Sequence, residues 1–475
     1  MDSTFVVIFS SLILTIISII FFKTKKSSKL NLPPGKYGWP LYGETIEYIS
    51  KPEAFMRDRM AKYSKEIFKT SVLGEKVAIL CGHSGHKFLY SNDTKLFQFW
   101  MPPSLASALS VKDDDKNSTS SKLLHEQLHK FLKMESLQHF VPIMDTKARH
   151  HFETFWCPFQ QVKVQPLTKH FTFMLTCCLF IKYSNEEQVK ELAKPFFDLH
   201  EGTMSESVSL PFYSAKKRQE TVQKKIISII KERQLELINK GGSKNNDDGI
   251  GGGFQDLLTR VLITASHEID EKVIAGIINS LLFASFYTIS TAITFIVYYL
   301  ADHPHVYHKV LQEHLEIARS KKDGELLNWK DIQKMKYSWN VACESMRLRP
   351  PALGSFREVL NDFTYAGFRV PKGWKVAWNV YSTHKDPKYF PDPEKFEPSR
   401  FEGNNNPLPP YAYVPFGGGP FMCGGKEYAR IEILVFLHNL VTRFKFSRVN
   451  PMEEIIYTPI PTPLQGLPIH LQKIN

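Results

Sequence analysis

Residues 415–430 read PFGGGPFMCGGKEYAR. Four residues in it set a pattern, Phe416-x-x-Gly419-x-x-x-Cys423-x-Gly425. Glycines crowded around one cysteine let the backbone come close to something flat or large. An apolar Phe416 beside the sulfur keeps water away, and backbone N–H groups freed by such a loop can hydrogen-bond a thiolate and tune it as a donor. Helical periodicity resumes near Gly425, so the sulfur sits at a helix N-terminus, where the dipole favours its anionic form. This combination suits a cysteine ligand to haem iron. The plainer alternative is a glycine-rich turn that happens to bury a cysteine.

Working back along the chain, ACESMRLRPP (342–351) sets Glu344 and Arg347 three apart on a helix that Pro350 ends. That spacing puts a carboxylate and a guanidinium on one face, where a bidentate pair can form. FPDPEKFEPSRF (390–401) then supplies Arg400, a second guanidinium able to complete a three-membered network. Alone, Glu344 and Arg347 read equally well as a solvated surface pair. Residues 269–301, IDEKVIAGIINSLLFASFYTISTAITFIVYYLA, are apolar on nearly every face after the first turn. Such a helix is buried in a large protein or spans a membrane, and its embedded serines and threonines favour burial. At ~1.5 Å per residue it is roughly 50 Å long, enough to cross the whole globule. Helical period also marks 123–139, 219–239 and 304–320, and short β-like stretches occur at 66–72, 76–81 and 362–380. Two polar stretches, 112–122 and 240–253, read as surface loops.

Composition limits the class of protein. The chain has 475 residues, 43% hydrophobic and 23% charged, which excludes wholesale disorder, collagen and coiled coil. Thirty-five phenylalanines imply a bulky core or an apolar ligand cavity. The net charge of +12 is spread along the chain and fits a membrane surface or an acidic protein partner at least as well as nucleic acid. Six scattered cysteines with no CxxC pair argue against a disulfide framework or a zinc ribbon. Phe5 to Phe22 is an uncharged run long enough for one transmembrane helix. Lys23, Lys25, Lys26 and Lys29 follow it, which keeps that side cytosolic and reads as a signal anchor. Pro33 and Pro34 then mark a stiff hinge. The expected organisation is an anchor over 1–22, a basic linker and proline-rich hinge over 23–35, and one catalytic domain over 36–475.

The cysteine loop, the E-x-x-R helix, the F-x-P-x-R-F segment, the long helix and the proline-rich hinge stand in the order of a microsomal cytochrome P450, and the chain resembles that family throughout its length after the anchor. LPPGKYGWPLYGET (32–45), KMKYSWNVACESMR (334–347), FTYAGFRVPKGWK (363–375), YVPFGGGP (413–420) and GLPIHL (466–471) resemble the plant triterpenoid-oxidising branch, β-amyrin oxidases acting at carbon 28 among them. The resemblance implies a mainly α fold with small β-sheets, haem b with Cys423 as axial ligand, and Phe416, Gly419 and Gly425 shaping the loop. It implies Glu344, Arg347 and Arg400 as a structural network behind the haem, Arg357 as a partner of a haem propionate, and Thr288 as the distal threonine that helps deliver protons to oxygen. It further implies an endoplasmic reticulum protein, single-pass with its catalytic domain cytosolic, that hydroxylates an apolar terpenoid with O2 and electrons from an NADPH-dependent reductase, without a nucleic-acid partner. Phe283, Ala284 and Phe286, before Thr288, and Leu353 and Gly354, after the E-x-x-R helix, are expected to line the substrate cavity.

The sequence departs from the family at four places. Tyr287 stands where an acid usually precedes the distal threonine, and a phenol is a poorer proton relay. Phe421 replaces an arginine or histidine two residues before the cysteine. Gly424 replaces a proline, and His125 lies near the place of a propionate-binding arginine. Three readings therefore stand: an active monooxygenase of a triterpenoid or another terpenoid or sterol, a divergent haem protein of weak or altered activity, and an anchored module that binds without catalysis.

Overall fold

The computed structural model describes residues 31–40, 42–109, 126–206, 212–239, 255–265, 269–403 and 408–474. The expected anchor, the basic linker up to residue 30, His125 and both polar stretches lie outside the described residues. Nine helices matter here: α1 (Gly82–Asn92), α2 (Met134–Phe155), α3 (Val164–Ile181), α4 (Glu186–Glu206), α5 (Phe212–Asn239), α6 (Glu271–Asp302), α7 (Pro304–Arg319), α8 (Lys336–Leu348) and α9 (Lys426–Val441). One five-stranded sheet accompanies them, built from β1 (Ile67–Val72), β2 (Glu75–Leu80), β3 (Phe97–Trp100), β4 (Gly354–Val359) and β5 (Lys375–Asn379) in the order β1-β2-β5-β4-β3.

The long apolar run becomes α6, capped by Asp270, whose side chain accepts from the Lys272 N–H. Its hydroxyls do not interrupt it, because each bonds back to its own helix: Ser285 to the Leu281 carbonyl, Thr288 to Ala284, Thr291 to Tyr287 and Thr294 to Ser290. That habit lets a helix carry serine and threonine through an apolar interior. Helix α3 lies along it, and the hydroxyls of Thr168 and Thr294 meet at 3.0 Å between the two. The helix is the only one among the described residues long and apolar enough to cross a membrane, yet most of that window is buried in protein.

Two apolar cores divide the molecule. One is helical and gathers α2, α3, α6 and α9; the other surrounds the sheet, with Phe55, Phe68, Phe97 and Val376 at its centre. The β1–β2 hairpin turns through Leu73 and Gly74, both at positive φ, the geometry that matches strand twist. The proline-rich segment is fastened to this sheet. The Lys69 N–H donates to the Pro34 carbonyl at 2.8 Å, and the Arg369 N–H, in a separate two-stranded sheet, donates to the Asn31 carbonyl at 2.7 Å. The periodicity over 123–139 does not make one helix: Lys133 adopts extended angles (φ −65°, ψ 152°) and α2 starts anew after it. Strands β3 and β4 were not apparent from the sequence; both are short, and β4 (GSFREV) carries two charges.

Candidate haem-thiolate site

The cysteine loop is held by its own backbone. The Cys423 N–H donates to the Phe416 carbonyl at 2.9 Å, and the Met422 N–H to Gly419 at 3.2 Å. Gly419 has φ +67°, and a Cβ there would lie 2.9 Å from the Cβ of Tyr90; one on Gly418 would lie 2.8 Å from the Tyr90 ring. No other residue fits at Gly419, because a side chain would meet both the strained backbone and the neighbour. Gly425 precedes the first residue of α9, and its backbone hydrogen bond to Cys423 lowers the thiol pKa against the larger upward push of desolvation. Cys423 itself is exposed. Phe416 is half-buried, its ring nearly parallel to Trp339 at 6.4 Å, so it backs the loop from the helical side.

The E-x-x-R pair is fully buried and bidentate. Arg347 Nε donates to Glu344 Oε2 at 2.7 Å and Nη2 to Oε1 at 2.8 Å. The remaining N–H groups of Arg347 reach the carbonyls of His384, Pro393 and Lys395. Arg400 completes the trio: its Nε lies 3.3 Å from Glu344 Oε1, within ion-pair reach but off the hydrogen-bond line. All three residues read from the sequence thus come together.

Arg357, on β4, is buried and already partnered. Its Nε donates to Asp93 Oδ1 at 2.8 Å, its Nη2 lies 3.4 Å from Asp93 Oδ2, and Nη1 donates to Ser355 Oγ and the Phe356 carbonyl. Phe421 and Phe99 lie against the guanidinium, their centroids 4.8 and 5.4 Å from its central carbon. Phe421 is 42% exposed. Burial pushes the Asp93 carboxyl pKa up, against the pull of Arg357. Asp93 and Tyr90 were missed in the sequence. Asp93 follows the last residue of α1 and lies 264 positions from its partner.

Along α6 the expected lining residues separate. Ala284 is exposed and Thr288 half-buried in a helix whose flanks are packed, so these two, one turn apart, face open space. Phe283 is half-buried against His200 at 4.5 Å. Phe286, expected at the cavity wall, instead points away: it is fully buried among Phe173, Phe196 and Phe197. An apolar helix gives no sequence clue to which face opens. Tyr287 is also buried, with Lys169 Nζ 5.1 Å from its ring centroid and Lys169 paired to Glu201 at 2.9 Å. Desolvation raises its phenol pKa. Leu353 and Gly354 are half-buried where β4 begins beside β5.

The chain matches the family model "Cytochrome P450" over residues 33–465. It is 49% identical to a β-amyrin 6-β-monooxygenase of Solanum lycopersicum, covering 94% of this chain and 93% of that one. It is 46% identical to a β-amyrin 28-monooxygenase of Medicago truncatula, covering 96% and 95%. Among solved structures, the retinoic-acid-bound cyanobacterial CYP120A1 superposes with a TM-score of 0.78 at 27% identity, covering 94% of this chain and all of that one. With the mainly helical architecture, the cysteine loop and the buried E-x-x-R network, these likenesses show that the chain belongs to the cytochrome P450 family and is a monooxygenase of it.

Proposed function

We propose that this chain is a membrane-anchored haem-thiolate monooxygenase that hydroxylates a triterpenoid skeleton of the β-amyrin type, using O2 and electrons passed from NADPH by a separate reductase. The observation that carries this reading is Cys423: an exposed cysteine just before α9, with the Gly425 backbone bonded toward it. The residues present fit a haem. Besides the cysteine there is a glycine backbone pressed onto Tyr90, an arginine with one N–H unused beside the exposed Phe421, and small Ala284 with Thr288 open on α6. Haem bound through Cys423 supplies the activation of O2 needed for hydroxylation of an unactivated C–H bond, the thiolate favouring O–O cleavage.

The chain's own groups do the rest. Phe416 and Trp339 exclude water from the proximal side. Thr288 offers a hydroxyl that now donates to its own helix and can turn to hold a water on the open face. Tyr287 is buried away from that face beside Lys169 and Glu201, so protons reach Thr288 without a carboxylate at position 287. Ala284 leaves room for a broad apolar skeleton, and Phe283 and Leu353 border it. Glu344, Arg347 and Arg400 keep the helix and loop behind the haem in place. Phe5 to Phe22 anchors the protein in the endoplasmic reticulum membrane, the globule facing the cytosol.

Relatives of nearly equal identity bear names for attack at carbon 6 and at carbon 28, so both positions enter the test. Co-expression with a plant reductase in yeast that makes β-amyrin, followed by product analysis, is expected to give a hydroxylated or further oxidised amyrin. A normal haem spectrum with no product from β-amyrin or its isomers would overturn the substrate assignment and leave another terpenoid or sterol.

A further inference from the structure

Arg357 has four of its five N–H groups directed at acceptors inside the protein, and two of those four point to Asp93. The pair is neutral overall and buried on both sides. Its guanidinium cannot swing freely, because Phe421 and Phe99 pack against it with their ring centroids 6.1 Å apart. Phe421 is the exposed member of this group and sits two residues before Cys423, so the charged pair lies against the exposed cysteine loop. Beside it the Tyr90 hydroxyl is buried with no partner.

We infer that Asp93 is an internal stand-in for a haem carboxylate: it neutralises Arg357 from within, so that the pair offers a haem propionate one N–H and little net charge. This rests on the haem-thiolate reading above. Asp93 acts through Arg357 and touches no reacting atom, so it is a positioning residue. Two consequences follow. Before haem arrives, the arginine is not an unpaired buried cation, a state that strongly destabilises a fold. After haem binds, the carboxylate end of the porphyrin is held weakly for a site with a buried arginine, because a like charge already takes two of its donors and Ser355 and the Phe356 carbonyl take two more. Phe421, standing where a second cation would otherwise face the porphyrin, leaves that weakness uncorrected.

The test uses the full-length haem-loaded protein and an acceptor apoprotein that captures released haem. Asp93→Asn retains the shape and an oxygen acceptor for Nε while removing the charge. It is expected to slow haem loss about tenfold, and at the same time to lower the melting temperature of the haem-free chain. Unchanged or faster haem loss from a folded Asp93→Asn protein would overturn the inference. A second measurement needs no variant. The wild-type protein is loaded in parallel with haem and with haem dimethyl ester, whose propionates carry no charge. If Asp93 silences Arg357, the two are lost at rates within about threefold of each other. Ester loss tenfold or more faster would show that the propionate charges are firmly held and would also overturn it. A chain that binds neither porphyrin through a thiolate, seen in its spectrum, would instead refute the haem reading itself.

Discussion

Two buried arginines in this molecule are paired in different ways. Arg347 spends all five N–H groups on Glu344 and three backbone carbonyls, deep between α8 and the segment 384–400. Arg357 uses four, pairs with a carboxylate from a distant loop, and has an exposed aromatic ring against it. The first arrangement is closed and has nothing left to offer a ligand. The second is one donor short of closed and stands against the exposed cysteine loop. A buried ion pair is therefore not one kind of feature: complete satisfaction marks a structural joint, and a residual donor beside an opening marks a place for something else to bind.

The largest expected effect is on the closed side. Arg347→Ala leaves buried Glu344 with only the off-line Arg400 as a cationic partner and three carbonyls without donors, which costs on the order of 3–5 kcal/mol. Little haem-loaded protein should be recovered, and Arg347→Lys should not rescue it, because an ammonium offers three donors in the wrong geometry. Normal yield and melting of Arg347→Ala would erase the contrast drawn above. At the open side, Arg357→Lys should instead fold and melt close to wild type when haem-free, and lose haem no more than about threefold faster, because Asp93 already leaves this side chain little charge to offer a propionate. A variant that failed to fold would place Arg357 with the structural joints.

The closed side also carries a histidine pair. His314 Nδ1 and His438 Nδ1 lie 3.1 Å apart, His314 Nε2 lies 3.0 Å from Ser338 Oγ, and Ser338 donates to Glu313. This network joins α7, α8 and α9. Burial holds both histidines below their ordinary range, His438 at about 4 and His314 well below 6.5. The unfolded chain takes up these protons near pH 6.5, so their contribution is complete above that value. It is lost as pH falls toward 4, by up to about 1.4 kcal/mol per pH unit for each histidine. Thermal melting should accordingly drop between pH 7 and pH 5, and His314→Gln should flatten the profile. An equally steep profile in that variant would assign the acid sensitivity elsewhere.

The smallest effect expected is at Tyr287. An aspartate there would meet Lys169, already 5.1 Å from the tyrosine ring centroid, and form an ion pair on the side of α6 away from Thr288. Product formed per NADPH and peroxide release should therefore stay close to wild type. A fall in coupling would mean that the phenol seals the site against water.

Much of this was legible in the sequence. The glycine pattern around Cys423, the three-residue spacing of Glu344 and Arg347, and Arg400 in its proline-rich segment are local signals, and each residue lies where its neighbours in sequence imply. What stayed hidden was either long-range or rotational. Asp93 meets Arg357 across 264 residues, and the five-stranded sheet draws on residues 67–80, 97–100 and 354–379. Phe286 and Tyr287 belong to a helix apolar all round, in which periodicity cannot show which side is open. The break at Lys133 fell inside a run of unbroken helical period because backbone angles, and not hydrophobic spacing, end that helix.

The central claim is that Cys423 ligates haem iron. Its most direct test is the absorption spectrum of the reduced, carbon-monoxide-bound protein, wild type against Cys423→Ser. The wild type should show the red-shifted Soret band of a thiolate-ligated haem, and the variant should lack it while retaining a helical circular dichroism spectrum. A folded Cys423→Ser protein that kept that band would contradict the account at its root.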